Sequence, residues 1–258
     1  MTSEATNGGV QYTVDAHGIG TIEFGHPASN SLPGAVLDAL ASAIDEATAD
    51  EACKVIILKS WGDRAFCAGA SFDELIAIQN EDEGLAFFSG FSKVILAARR
   101  STKFVIARVQ GKAVGGGVGI AAAADFAVAT KFASVKLSEL AIGIGPFVVG
   151  PAVERKMGKA GFTALAIDAA TWYDAQWAKS HGLYTEVYDD AQQLDVSVDA
   201  LARRLAQSNP QAMAELKKAF WTGTDHWETL LPERAAISGR LVLSKFTREA
   251  INRFKSKG

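Results

Sequence analysis

Two short stretches of small residues and one acidic side chain hold most of the chemistry legible in this chain. The first stretch is Arg64-Ala65-Phe66-Cys67-Ala68-Gly69-Ala70-Ser71, between a strand-like run and a helix-like one. Small side chains let a ligand approach the backbone, and N–H groups at a helix start have no carbonyl one turn earlier to take them. The second is Gly115-Gly116-Gly117, ahead of the apolar helical run 120–124. Glycines at a helix start cost about 1 kcal/mol each in backbone entropy. Three in succession point to close approach of the backbone to a ligand or to a packing neighbour. Two N–H groups from separate helix starts can converge on one carbonyl oxygen and stabilise the charge that develops there. A thioester so held gives up its α-proton more readily to a nearby base. Glu139, in Leu137-Ser138-Glu139, is the acidic side chain in question, although by itself it reads as an exposed glutamate that begins a turn.

Other chemistries compete for the same residues. Gly117-Val118-Gly119-Ile120-Ala121-Ala122 fits G-x-G-x-x-A, with Glu139 about twenty residues on, as in a dinucleotide fingerprint. The match lies mid-chain, and the run 118–124 leaves little polar surface for a crossover helix. A nicotinamide-dependent dehydrogenase is the rival reading this leaves. No Walker pattern is present, because neither Ser nor Thr follows Lys112. Cys67 has no histidine nearby in sequence and reads as a packed small residue rather than a nucleophile. The four histidines lack metal-ligand spacing, so no metal is expected. Trp172, Trp177, Trp221 and Trp227 read as core or interface residues.

The elements that must position these groups follow from apolar spacing. Residues 21–24 read as a short strand, followed by the turn His26-Pro27-Ala28-Ser29-Asn30. Pro33 suits a first helical turn, and Val36, Leu37, Leu40 and Ile44 repeat at helical spacing. Residues 54–58 and 104–107 are nearly continuous apolar runs, as in strands buried on both faces. Residues 87–98 are helical by spacing. Strands alternating with helices from 21 to about 187 predict β-α units and a largely parallel sheet. After Tyr188, residues 194–206, 212–221 and 232–255 all read as helix. The expected organisation is an α/β core over 1–190 and a helical C-terminal region over 191–258. The first fifteen residues, polar and acidic, read as a frayed start.

Composition narrows the class. The chain has 258 residues, 48% hydrophobic and 21% charged, enough to bury a large core. With a formal charge of -3 and no basic stripe, it lacks the electrostatic footprint of a nucleic-acid binder. Two cysteines make no disulfide framework, and a reducing cytoplasm is the expected setting. No apolar stretch is long enough to span a bilayer, so a soluble protein without a membrane partner is expected.

Ala65-Phe66-Cys67-Ala68-Gly69-Ala70 and Gly111-x-Ala113-Val114-Gly115-Gly116-Gly117 resemble the two oxyanion-hole segments of the crotonase (enoyl-CoA hydratase/isomerase) superfamily. The resemblance continues through Asp125, Leu137-Ser138-Glu139 and Gly143-Ile144-Gly145-Pro146 into the helical C-terminus, nearly the whole chain from Thr21. It implies a crotonase-like spiral of ββα units with a helical C-terminal region, assembled as a homotrimer or homohexamer. It also implies an acyl-CoA substrate and no separate cofactor, coenzyme A being part of the substrate. Carried over, Ala70 and Gly116 N–H form the hole and Glu139 moves the proton. Ala68 and the turn at Ala28, Ser29 and Asn30 lie along the coenzyme, with Arg64 near its phosphates. Phe254 and Lys257 resemble a C-terminal pair that reaches coenzyme A, often across a subunit boundary.

One departure matters. Hydratases of this superfamily typically use two glutamates, and the first falls three residues after Gly116, where this chain has Gly119. A lone carboxylate suits double-bond isomerisation, whereas hydration needs a water positioned by Glu139, another side chain or the substrate. Asp73 and Glu74 are candidates for a second acid, but they read more simply as solvated residues of a first helical turn. Asp73 also stands where the superfamily is commonly basic. The expectation is an enoyl-CoA hydratase or isomerase of fatty or branched-chain acyl-CoA metabolism. A CoA-binding pseudoenzyme and a crotonase-type decarboxylase or hydrolase are the alternatives.

Overall fold

The computed structural model describes residues 7–255, with side chains through Arg253. Its frame is a six-stranded sheet of β1 (Gly9–Val14), β2 (Ile19–Gly25), β4 (Val55–Ser60), β7 (Val105–Val109), β9 (Phe126–Thr130) and β11 (Glu186–Tyr188), in that order. β1 runs antiparallel at the edge and every other pairing is parallel. The apolar runs are explained by burial on both faces. Ile56 and Leu58 face the main core, while Val55, Ile106 and Val128 face a second cluster built on Leu194, Val198 and Ala202.

Shorter strands form a second layer. β5 (Ala65–Cys67), β8 (Lys112–Val114) and β10 (Val135–Lys136) make a three-stranded parallel sheet in the order β10-β8-β5. β3 (Ser31–Leu32) pairs in parallel with β6 (Gly69–Ala70). Each turn of the chain gives a strand to the large sheet, a strand to a small one, and then a helix. These helices are α1 (Gly34–Ala49), α2 (Phe72–Ala77) with α3 (Glu81–Arg100), α4 (Gly116–Ala123) and, after a 3-10 turn over Glu139–Ile142, α5 (Gly150–Ile167). This is the ββα spiral that the motifs imply.

Beyond α6 (Ala175–Ser180) and β11 the chain is helical: α7 (Ala191–Ala206), α8 (Pro210–Phe220), α9 (Trp227–Val242) and α10 (Lys245–Lys255). α7 covers the second face of the large sheet through Leu194, Val198 and Ala202. α9 crosses α3 where two glycines meet: a Cβ on Gly84 would lie 2.6 Å from Gly239 Cα. Among the described residues no helix is long and apolar enough to cross a membrane.

Two expectations need correction. The first fifteen residues are not simply frayed, since residues 9–14 form β1. Val10 and Tyr12 alternate with polar neighbours and pack on the core, and the Tyr12 hydroxyl donates to Asp50 Oδ2 at 2.8 Å. The helical run 232–255 breaks at residues 243–244, where Ser244 Oγ accepts from Thr247 N–H and starts α10 anew.

Asp125 ties the C-terminal helices to the sheet. It pairs with Lys217 Nζ at 2.9 Å, both side chains almost fully buried, and accepts from Trp221 Nε1 at 2.9 Å and from Val105 N–H at 2.8 Å. Burial lowers the Lys217 pKa, opposed by the attraction of Asp125. Removing one partner strands the other charge in the interior. Asp125→Ala is therefore expected to lower stability by about 3–5 kcal/mol, read from the urea unfolding midpoint.

Candidate active site

The small parallel sheet determines which groups meet. Ala65 pairs with Lys112, Cys67 with Ala113, Ala113 with Val135 and Val114 with Lys136. The C-terminal ends of β5, β8 and β10 therefore lie side by side. They lead respectively into Gly69 and Ala70, into Gly115 and Gly116, and into Ser138 and Glu139. Ligands of parallel sheets gather at such strand ends.

The first segment is held from below by the Asn30 turn. Asn30 is buried; its Nδ2 donates to Trp61 O and Ala65 O, both at 2.8 Å, and its carbonyl accepts from Ala68 N–H at 3.1 Å. Ser31 Oγ donates to Ala70 O at 2.8 Å. That bond fixes the peptide that follows Ala70. The second segment turns at Gly115, with φ 52° and ψ -114°, a conformation that needs glycine. A Cβ there would also meet Glu139 Oε1 at 2.9 Å. Gly115 N–H donates to Lys136 O at 2.9 Å, and its own carbonyl accepts from Val118 and Gly119 N–H. Gly116, the first residue of α4, has no intrahelical acceptor for its N–H.

Glu139 opens the 3-10 turn that follows β10. The residue is half-buried, yet its Oε2 is sealed from solvent and has no hydrogen-bond partner among the described residues. Burial pushes the carboxyl up to about 7, partly offset by a hydrogen bond from its own backbone N–H. α10 packs on this turn: a Cβ on Gly143 would lie 2.4 Å from Phe246 Cδ1.

Ala68, Ala70, Gly116 and Glu139 line one cavity of ≈170 Å³. Its walls are mainly apolar, with Phe72, Phe87, Phe88 and Phe91 on one side of the sequence and Phe147 and Val149 on another. Among the described residues Glu139 is the one titratable side chain that lines it. Such an arrangement suits a polar carbonyl on an apolar ligand, with a base of near-neutral pKa beside it.

Comparison with known proteins agrees with this geometry. A sequence model of the family described as enoyl-CoA hydratase/isomerase matches residues 15–257. The chain belongs to the enoyl-CoA hydratase/isomerase family. The mitochondrial methylglutaconyl-CoA hydratase of Rattus norvegicus is 31% identical over 235 residues, covering 88% of this chain and 73% of that protein. The carnitinyl-CoA dehydratase of Salmonella arizonae is 30% identical over 217 residues, covering 79% and 77%. The crystal structure of an enoyl-CoA hydratase from Mycobacterium avium superposes with a TM-score of 0.86 at 26% identity, covering 100% of this chain and 98% of that one. These matches make the chain a member of a hydratase/isomerase family with the crotonase fold.

Gly119 stands where the resemblance leads one to expect a second glutamate. Gly119 is fully buried in α4, and a Cβ there would lie 2.4 Å from Val149 Cγ1. The volume that a side chain at 119 would take belongs to Val149. Neither alternative acid lines the cavity: Asp73 is exposed, and Glu74 Oε2 accepts from Gly34 N–H at 2.8 Å. Cys67 is fully buried and its thiol is pushed up to about 12 by burial, which leaves it inert. The G-x-G-x-x-A stretch lies inside α4, not in a phosphate-holding turn. A Cβ on Gly117 would meet Cys67 O at 2.5 Å, so that glycine serves packing.

Ala28, Ser29 and Arg64 are exposed and do not line the cavity, although the Asn30 bond to Ala68 joins the turn of Ala28 and Ser29 to it. Lys257 lies outside the described residues, as does the side chain of Phe254, whose backbone belongs to α10. The aromatic wall, Val149 and Ser238 of α9 escaped the sequence reading. Phe87, Phe88 and Phe91, one turn apart in a helical stretch, were the available signal.

The Gly119–Val149 contact is testable by a double-mutant cycle. Gly119→Ala alone is expected to cost about 1–3 kcal/mol from overpacking. Combined with Val149→Ala, the total should fall below the sum of the single losses, as measured by denaturant unfolding.

Proposed function

We propose that this enzyme transfers a proton at the α-carbon of an enoyl-CoA and shifts its double bond, with Glu139 as the one acid–base group. The N–H groups of Ala70 and Gly116 hold the thioester oxygen. The Glu139 carboxylate takes the α-proton, and the electron pair it leaves delocalises onto that oxygen as a dienolate. Glu139 then returns the proton at the γ-carbon, so the acyl group leaves with its mass unchanged. The observation that carries this reading is that Glu139 is the one titratable side chain on the cavity wall among the described residues. A carboxyl near 7 can both take and give a proton at neutral pH. The turn at Ala28, Ser29 and Asn30, with Ala68 and Arg64, is our proposed path for the coenzyme, completed by Phe254 and Lys257. A trimer or hexamer acting in fatty or branched-chain acyl-CoA breakdown fits this reading.

A second reading is hydration, favoured by the presence of a hydratase and a dehydratase among the relatives. It requires the water to be positioned without a second carboxylate.

The two readings separate by mass. A 3-enoyl-CoA incubated in deuterated water is expected to incorporate deuterium and rearrange without gaining a water. Glu139→Gln should slow this by about a hundredfold or more. Because the base must be ionised, the wild-type rate should rise with pH up to about 7 and level off above it. Gain of one water would favour hydration, and exchange that survives in Glu139→Gln would overturn the role of this residue.

A further inference from the structure

Among the described residues, two hydroxyl side chains line the cavity besides Glu139: Ser138 and Ser238. Ser138 adjoins Glu139. Ser238 comes from a different wall, α9, placed against α3 by the glycine crossing at 84 and 239. Along α9 the buried stripe runs Leu231, Ala235, Ser238 and Val242, at the spacing of one helical face, and Ser238 is its polar member. Ser238 is 1% exposed. Its hydroxyl has no hydrogen-bond partner among the described residues, not even the carbonyl one turn back that helical serines often take. Lining the cavity rather than sealed in the interior, that hydroxyl is available to a partner that arrives with the ligand.

Two further observations bound that ligand. The cavity of ≈170 Å³ is close to the ~150 Å³ that accommodates benzene, so an acyl group of about six carbons fills it. Among the described residues no Lys, Arg or His lines it, so against these walls an acyl chain ending in a carboxylate would bury that charge unpaired.

We propose that the site selects a short, neutral acyl group bearing a hydroxyl or keto oxygen, and that Ser238 recognises this oxygen. The proposal rests on the acyl-CoA reading above and names the substrate class of that same cavity. A hydrocarbon acyl group leaves the Ser238 hydroxyl without a partner in the closed complex, whereas an oxygenated one satisfies it. Discrimination then arises chiefly from the cost of the unmade bond.

Binding of hexanoyl-CoA, its chain-hydroxylated isomers and adipoyl-CoA, measured by calorimetry on the wild type and Ser238→Ala, tests this without turnover. In the variant, affinity for the best hydroxylated isomer should fall about tenfold relative to hexanoyl-CoA, whose own affinity should hold or improve. Adipoyl-CoA should bind the wild type about a hundredfold more weakly than hexanoyl-CoA. An unchanged hydroxylated-to-hexanoyl ratio in Ser238→Ala, or adipoyl-CoA binding as tightly as hexanoyl-CoA, would overturn the proposal. Since no proton transfer is read, failure here is separable from failure of Glu139 as the base. Absence of binding by every acyl-CoA would overturn the acyl-CoA reading as well.

Discussion

Three parallel strands of two or three residues each hold the site together. Hydrogen bonding between β5, β8 and β10 brings their C-terminal ends alongside one another, and each end carries one chemical part. A slip of one residue would turn every side chain to the opposite face and misplace the segment that follows. Strands so short have little register specificity of their own. The surrounding structure supplies it: Asn30 clamps the first segment through Trp61 and Ala65, and Gly115 ties the second to Lys136. The large sheet, with its apolar faces covered by helices on both sides, is the rigid body to which these clamps are anchored.

The same packing sets the electrostatics. Apolar walls strengthen N–H groups aimed at a developing negative charge, because little water competes for them. They also make a buried carboxylate costly. Glu139 carries that cost: Oε2 has no partner among the described residues, and burial holds the carboxyl near 7 rather than in the ordinary carboxylate range. A group in this state suits reversible proton transfer. Val149, seated where a side chain at 119 would go, keeps the neighbouring wall apolar.

Much of this was legible in the sequence, for identifiable reasons. The apolar runs at 54–58 and 104–107 and the helical spacing at Val36, Leu37, Leu40 and Ile44 encode burial directly, and the elements form where those patterns lie. Small-residue runs marked both backbone segments, and Ala68, Ala70, Gly116 and Glu139 do meet at one cavity. What could not be read was anything set by contacts distant in sequence. Ser238 enters the cavity because Gly84 and Gly239 let two helices approach, and Val149 matters because of Gly119. β1 escaped notice because an edge strand needs only alternate burial, which Val10 and Tyr12 provide within a polar stretch.

The central claim is that the backbone N–H groups of Ala70 and Gly116 jointly polarise one thioester carbonyl. Isotope-edited vibrational spectroscopy of a bound acyl-CoA labelled at that carbonyl reads this most directly. Two converging donors should move the carbonyl stretch to clearly lower frequency than in free acyl-CoA, in Glu139→Gln as well as in the wild type. A bound thioester whose carbonyl frequency matches that in water would contradict the account.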